Sequence, residues 1–285
     1  MTSLLLDKAT RALPCLLTAL DGGVDAWRAV EVAGHLVLAA DHLVPRLCGH
    51  LAGIDLSAQW QDMSTNALLS ALARLGDPAA VPAVAETVTA AARHERWSTA
   101  ASALEALAAF GTAAAPALDT VRGLTGAVDP SVRVAAAATL WAAEGDPAIV
   151  VPLLDDLLDS HRHHEAADVL GRIGTPAARV LPRLRNMLTA DYEWTRVHAA
   201  SAMWDIGGQA EGPVVVRTLI AAWQKNDATA NHVLACLDRM GTAAEVALPH
   251  VRVELTRTRR SGRFSDVAHD EELQRTCRTF LARFS

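Results

Sequence analysis

Acidic residues and histidines concentrate in one short stretch, Leu153–Asp168, which reads LLDDLLDSHRHHEAAD. Imidazoles and carboxylates that converge in space are typical zinc ligands. If the stretch is helical, His161 and His164 share a face, and Asp159 can join them from a turn. These three residues are the candidate metal ligands. However, no HExxH-type motif accompanies them, and a loop between two helices is polar in any case. We therefore predict no metal site and no cofactor.

Other residue patterns also favour structure over catalysis. The chain lacks a GxSxG motif, a phosphate-binding P-loop and a GxGxxG motif. Among its seven tryptophans, Trp27, Trp97 and Trp194 share one phase, 13 or 14 residues before the end of a predicted helix. This recurrence predicts stacking between neighbouring repeats rather than a ligand groove. Trp60 and Trp223 do not share the phase, and we predict that they lie at the surface or in a groove.

A repeated pair of helices must position these residues, and Gly126–Leu158 is one complete example. Asp129 and Pro130 begin a helix, Gly145 ends it, and the following Asp-Pro begins a second helix. Glycines that end a helix recur every 29 to 35 residues, at Gly76, Gly111, Gly145, Gly174, Gly207 and Gly241. Second-helix prolines recur every 30 to 37 residues, at Pro14, Pro45, Pro82, Pro116, Pro152, Pro182, Pro213 and Pro249. Two markers with a common period indicate a repeat protein.

The predicted fold class is all-α, a right-handed α-solenoid of about seven helix-turn-helix repeats with terminal caps. We treat residues 1–285 as a single domain. Residues 1–23 form an N-terminal half-repeat cap, residues 24–257 the repeats, and residues 258–285 a basic loop and a capping helix. The basic loop includes Arg257–Arg263, and whether it takes part in binding stays open. Leu140, on the first helix of its repeat, is predicted to lie in the core.

Composition and charge limit the environment of the chain. No run of about 18 apolar residues occurs, so we predict no membrane partner. The N-terminal residues do not resemble a signal peptide. The four cysteines have no paired spacing and are expected to be free thiols, which favours the cytoplasm. The net charge is −6, so the charge does not indicate a nucleic-acid partner, although that alternative stays open.

The repeat unit resembles a HEAT or HEAT-like repeat of the phycobilisome-lyase type. The matching residues are Asp129–Arg133 before an alanine-rich helix, then Gly145–Pro147 and Pro152–Leu154. The resemblance covers residues 10–257. It implies that second helices line a concave surface. The candidate partner-binding residues on that surface are Arg46, His50, Asp119, Arg122, Asp155, Asp156, Asp159, Arg183, Arg185, Arg217, Trp223 and Arg252.

The sign of the charge changes along this predicted surface. Residues 129–160 carry 1 basic and 6 acidic side chains, whereas residues 251–285 carry 8 and 5. A mixed-sign groove suits a protein or peptide partner, because complementary charge sets register and on-rate. We therefore expect a non-enzymatic scaffold or adaptor. The alanine- and arginine-rich composition suggests a GC-rich bacterial genome.

Two other functions stay open at this point. One group of DNA glycosylases that remove alkylated bases uses a HEAT-like horseshoe with Asp and Trp in a basic groove, so a DNA-binding enzyme is the main alternative. A chromophore- or cofactor-handling protein similar to the phycobilisome lyases is the second. The chain has the necessary aspartates and tryptophans, but its charge shows no basic groove.

Overall fold

The computed structural model describes residues 13–22, 26–58, 62–257 and 267–284, without the side chains of Trp27 and Asp62. All regular structure in these residues is helical and none is strand, which confirms the all-α prediction. Most of the predicted N-terminal cap, Trp60 and most of the basic loop lie outside the described residues.

Helix α1 is described over residues 13–21, and fifteen further α-helices follow. They are α2 (Ala26–Ala33), α3 (Ala40–Ala52), α4 (Asp62–Leu75), α5 (Val81–Arg93), α6 (Trp97–Ala109), α7 (Leu118–Gly123), α8 (Pro130–Glu144), α9 (Pro147–Leu157), α10 (His163–Ile173), α11 (Leu181–Met187), α12 (Glu193–Gly207), α13 (Gly212–Lys225), α14 (Ala230–Met240), α15 (Leu248–Thr256) and α16 (Val267–Ala282). From α2 to α15 they form seven successive pairs, each with a first and a second helix.

The corners between the two helices of a pair follow the predicted chemistry closely. Positive φ angles occur at five of the six predicted glycines, with Gly145 at +65°. At the sixth, α12 ends at Gly207 as predicted, but Gly207 has φ −103° and the positive φ of +59° occurs at Gly208. A side chain at Gly207 would lie 2.6 Å from Cγ of Glu211, so the first glycine provides space and the second provides the turn.

Proline positions explain why several second helices are short. Short 3-10 segments such as Gly111–Ala117, Thr175–Val180 and Gly241–Ala247 precede α7, α11 and α15. Pro182 and Pro249 lie in the first turn of their α-helix, where the missing N–H breaks no helical hydrogen bond.

The chain divides into two compact units, Met1–Leu153 and Leu154–Ser285. In the first unit, each first helix contacts the next one, in the order α2, α4, α6, α8. In the second unit the corresponding order is α10, α12, α14, α16. Leu140 is 1% exposed, as predicted, and Leu104, Leu107, Leu170 and Leu219 are also fully buried in their respective units.

Candidate functional site

The predicted partner-binding residues are at the surface, with one exception. Those on α3, α7, α9, α11, α13 and α15 follow the exposed or partly exposed side of the helix. Exposed members are Arg46, His50, Asp119, Arg122, Asp156, Asp159, Arg185, Arg217 and Arg252, and half-buried members are Asp155 and Arg183. Periodicity alone therefore placed these side chains correctly with respect to solvent.

Trp223 is the exception. Its prediction as a surface or groove residue is wrong, because the side chain is 1% exposed and packs edge-on against His250 with ring centroids 4.5 Å apart. Trp223 follows Val215 and Leu219 at intervals of four residues, so it lies on the buried stripe of α13. This helical spacing predicts a buried Trp223, whereas the comparison of its phase with that of the other tryptophans did not.

Many of the predicted binding charges are paired with one another in the second unit. Arg183 on α11 contacts Asp155 at 2.8 Å and Asp159 at 2.7 Å, from Nη1 and Nη2 respectively. Arg185 pairs with the buried carboxylate of Glu211. These arginines therefore connect successive helix pairs and are not free cations.

Similar pairing occurs in the first unit. Arg46 on α3 contacts Asp21 on α1, and His50 Nε2 lies 3.5 Å from the same carboxylate. Arg122 on α7 contacts Asp119 at 3.0 Å and also Glu144 at the end of α8. Exposed pairs of this kind contribute about 0 to 1 kcal/mol each.

The weak metal candidate at the loop between α9 and α10 does not form. His161 is exposed, Asp159 is paired with Arg183, and the His164 Nε2 atom lies 2.9 Å from Thr195 Oγ1 on α12. The side chains diverge because α10 begins only at His163, so His161 and His164 do not share a helical face.

A row of histidines lies instead on three consecutive first helices. We call His164 on α10, His198 on α12 and His232 on α14 the histidine row. The rings of His164 and His198 stack with centroids 4.8 Å apart, and those of His198 and His232 are 4.5 Å apart. Each member is 34 residues from the next, so the row follows the repeat period.

The helix–helix contacts that hold the row are close. A Cβ atom at Gly171 would lie 3.2 Å from Cα of Ala202, so glycine allows α10 and α12 to approach. Between α12 and α14, Arg239 donates to Ser201 Oγ at 2.7 Å and to Asp205 Oδ2 at 3.0 Å. Both contacts fix the relative positions of the helices that carry the histidines.

Hydrogen bonds define which nitrogens of the neighbouring histidines carry protons. His163 Nδ1 lies 2.8 Å from the Ser160 carbonyl oxygen, which can only accept, so a neutral His163 carries its proton on Nδ1. Its Nε2 then accepts from the Thr195 hydroxyl at 3.0 Å. Since that hydroxyl has one proton, His164 Nε2–H donates to Thr195 Oγ1. The His164 Nδ1 atom keeps its lone pair.

Asp168 completes the cluster. Its Oδ1 atom lies 2.7 Å from His198 Nδ1, and the His198 side chain is 14% exposed. One potential ligand atom from each of Asp168, His198 and His232 lies within 4.8 Å of the other two. In the described part of the chain, this is the one group of three or more His, Cys, Asp or Glu residues with such geometry.

Electrostatics keep the outer two rings of the row neutral. Burial, reinforced by the nearby His198 and His163, lowers the pKa of His164 to about 4. Burial and His198 also lower the pKa of His232. At neutral pH both imidazoles therefore offer a nitrogen lone pair instead of a positive charge.

Tryptophan contributes to the row but not as predicted. Trp194 is half-buried, and its ring centroid lies 5.9 Å from that of His198 and 6.1 Å from that of His232. Contacts between neighbouring first helices thus include an aromatic ring, but its described partners are histidines. The 34-residue spacing of His164, His198 and His232 is the sequence signal that could have predicted the row.

Comparisons with known proteins give little further information. No family model matches the chain, and no curated protein matches it significantly. One similar solved structure is a crystal structure of an engineered protein from the Northeast Structural Genomics Consortium. That match has a TM-score of 0.43 and 19% identity, and it covers 94% of this chain and 77% of that chain. None of the helices described here is both long enough and apolar enough to cross a bilayer.

Proposed function

We propose that the chain is a non-enzymatic scaffold, a right-handed α-solenoid of HEAT-like repeats that binds a protein or peptide partner along its second helices. The observation that carries this proposal is the recurrence, on α7, α9, α11, α13 and α15, of an exposed charged side chain three or four residues after the second-helix proline. A repeated surface of this kind can be read by an extended partner, with charge setting the register.

Helix contacts support the solenoid arrangement within each unit. First helices contact first helices in sequence, and second helices lie against the first helix of their own pair, as α13 does with α12, or of the next pair, as α5 does with α6. Neighbouring repeats that contact only one another are the defining feature of a solenoid.

Charge in the second unit favours an acidic partner segment. Arg185, Arg217 and Arg252 lie three or four residues after the prolines of α11, α13 and α15 and are all exposed. Arg185 is paired with Glu211, whereas Arg217 and Arg252 have no ion pair within the described residues. Two unpaired guanidinium groups at equivalent positions can each bind a carboxylate in bidentate geometry.

The experiment is affinity capture of the tagged chain from a lysate of its own cell, with and without nuclease, followed by mass spectrometry. The test variant is Arg217→Glu/Arg252→Glu. Its matched control is Arg172→Glu, an exposed arginine on the first helix α10. We expect one stoichiometric protein that survives nuclease treatment, is lost with the double variant and is kept with the control.

Other results would contradict the proposal. If all captured protein disappears with nuclease and nucleic acid co-purifies, the DNA-binding alternative replaces it. A partner that the double reversal and the control retain equally well would place binding elsewhere. A coloured purified protein would favour the chromophore-handling alternative.

A further inference from the structure

We propose that Asp168, His198 and His232 form a binding site for a divalent transition-metal ion of the zinc class. The three side chains come from the consecutive first helices α10, α12 and α14 of one compact unit. One potential ligand atom from each lies within 4.8 Å of the others. This inference concerns the opposite helix of each pair from the proposed partner surface and does not depend on it.

The donor set selects the class of metal. Two imidazoles and one carboxylate suit zinc, cobalt and nickel, whereas calcium and magnesium prefer sites built of oxygen ligands. Asp168 and His198 are already adjacent, since Asp168 Oδ1 lies 2.7 Å from His198 Nδ1. A metal ion held between these two atoms would replace the proton of this hydrogen bond.

The site needs a small adjustment to close around an ion. Zinc bonds of about 2.0 to 2.2 Å in tetrahedral geometry place ligand atoms roughly 3.4 Å apart, so a separation of 4.8 Å must shorten by about 1.4 Å. His232 can supply that movement, because its imidazole has no hydrogen-bond partner in the described part of the chain and contacts its neighbours through ring packing. Rotation of this one ring costs no hydrogen bond.

Packing alone does not require an imidazole at the position of His198. His198 lies ten residues before the corner glycine Gly208, and the positions ten residues before Gly111 and Gly145 are Ala101 and Ala135. Both alanines are buried between first helices of the other unit, at 7% and 2% exposure. Small apolar residues thus satisfy the same helix–helix contact, whereas the second unit places polar rings there.

The predicted coordination is incomplete. Three protein ligands leave at least one position of a four-coordinate zinc ion for water or a small anion. His164 stacks on His198, and its Nε2 atom is engaged by Thr195, so this histidine orients the cluster rather than binding through that atom. A site with an open position can bind an exogenous ligand, in contrast to a closed structural zinc site.

The experiment is calorimetric titration of the chelator-treated full chain with zinc chloride, together with the ligand-field absorption of bound Co²⁺. The variants are Asp168→Asn, His198→Gln and His232→Gln. The matched control is His161→Ala, which removes an exposed histidine of the preceding loop. We expect one Zn²⁺ per chain, affinity reduced about 10- to 100-fold or more by each variant, and no change with the control.

Several results would overturn the proposed metal site. No saturable binding, unchanged affinity in Asp168→Asn, or loss of binding in His161→Ala would each overturn it. Preferential binding of Mg²⁺ or Ca²⁺ would overturn it as well. Asp168→Asn keeps the test valid if a histidine variant loses its helical circular dichroism, because the Asp168 side chain is 41% exposed and the substitution preserves its shape.

Discussion

Buried polar residues differ between the two compact units. In Met1–Leu153 those that the structure describes are four threonines, Thr65, Thr87, Thr99 and Thr139. In Leu154–Ser285 they include four carboxylates, Glu193, Glu211, Glu254 and Asp270. The same helix-pair frame thus accommodates either a nearly uncharged interior or one with buried acids.

The hydrogen-bond and ion-pair partners of these buried side chains account for this difference. A buried threonine hydroxyl can donate its hydrogen bond to a backbone carbonyl oxygen of a helix. Thr139 Oγ1 lies 2.8 Å from the carbonyl oxygens of both Ala135 and Leu104, the latter on α6, and donates to one of them. A buried carboxylate needs a cation. Lys225 Nζ lies 2.7 Å from Glu193 Oε1, and this contact holds the pKa of Glu193 below its usual value. Glu211 and Glu254 likewise lie beside an arginine, so these buried carboxylates occur where a cation can approach them.

The largest expected effect is obtained by placing an unpaired carboxylate in the first unit. Leu140→Asp buries a charge at a position that is 1% exposed and lined by apolar side chains. Such a change costs several kcal/mol, so we expect the unit to unfold. Circular dichroism and thermal melting measure this directly.

Val128→Asp is the matched control in the same unit, because Val128 is 91% exposed. Its melting temperature should stay within a few degrees of that of the unmodified chain. If Leu140→Asp melts like Val128→Asp, the first unit tolerates buried charge and the comparison fails.

The burial of Leu140 and the positions of the corner glycines were predictable, because both depend on short-range periodicity. An apolar residue that recurs at helical spacing faces the core, and a glycine that ends a helix recurs with the repeat. Solvent exposure of Arg217 and Arg252 followed from the same pattern. Seven helix pairs were therefore readable from the sequence.

Features that depend on contacts between repeats were not predictable in this way. Asp155 and Arg183 were each correctly placed near the surface, but their mutual ion pair joins residues 28 positions apart. The histidine row requires that α10, α12 and α14 lie side by side in one register. Only a comparison of equivalent positions, 34 residues apart, carries that information.

A smaller effect is expected when a buried carboxylate of the second unit loses its cation. Arg185→Met leaves Glu211, whose side chain is 7% exposed, without its paired guanidinium. We expect a loss of about 2 kcal/mol in the free energy of unfolding, measured by chemical denaturation. Arg217→Met, at an exposed arginine of α13, is the control and should change stability by less than about 0.5 kcal/mol. Equal effects of the two substitutions would show that Glu211 does not need Arg185.

The smallest effect concerns a buried acid whose cation does not fully compensate it. Burial raises the pKa of Glu254 above the ordinary value of 4.5, with Asp227 and Asp270 adding to the shift and Arg257, 3.1 Å away, opposing it. Between pH 4.5 and the raised value, the folded chain binds more protons than the unfolded chain. Stability therefore falls as the pH rises through that window.

Glu254→Gln removes this titration while it keeps the shape of the side chain. We expect the variant to be more stable than the unmodified chain at neutral pH, and the advantage to shrink as the pH approaches 4.5. Glu245→Gln, at an exposed position in the same unit, should show no such trend. Lower stability of Glu254→Gln at neutral pH would mean that the Arg257 ion pair outweighs the burial of Glu254. In that case the cations would fully compensate the buried acids of the second unit. The two units would then differ in the composition of their interiors, but the buried acids would not reduce stability.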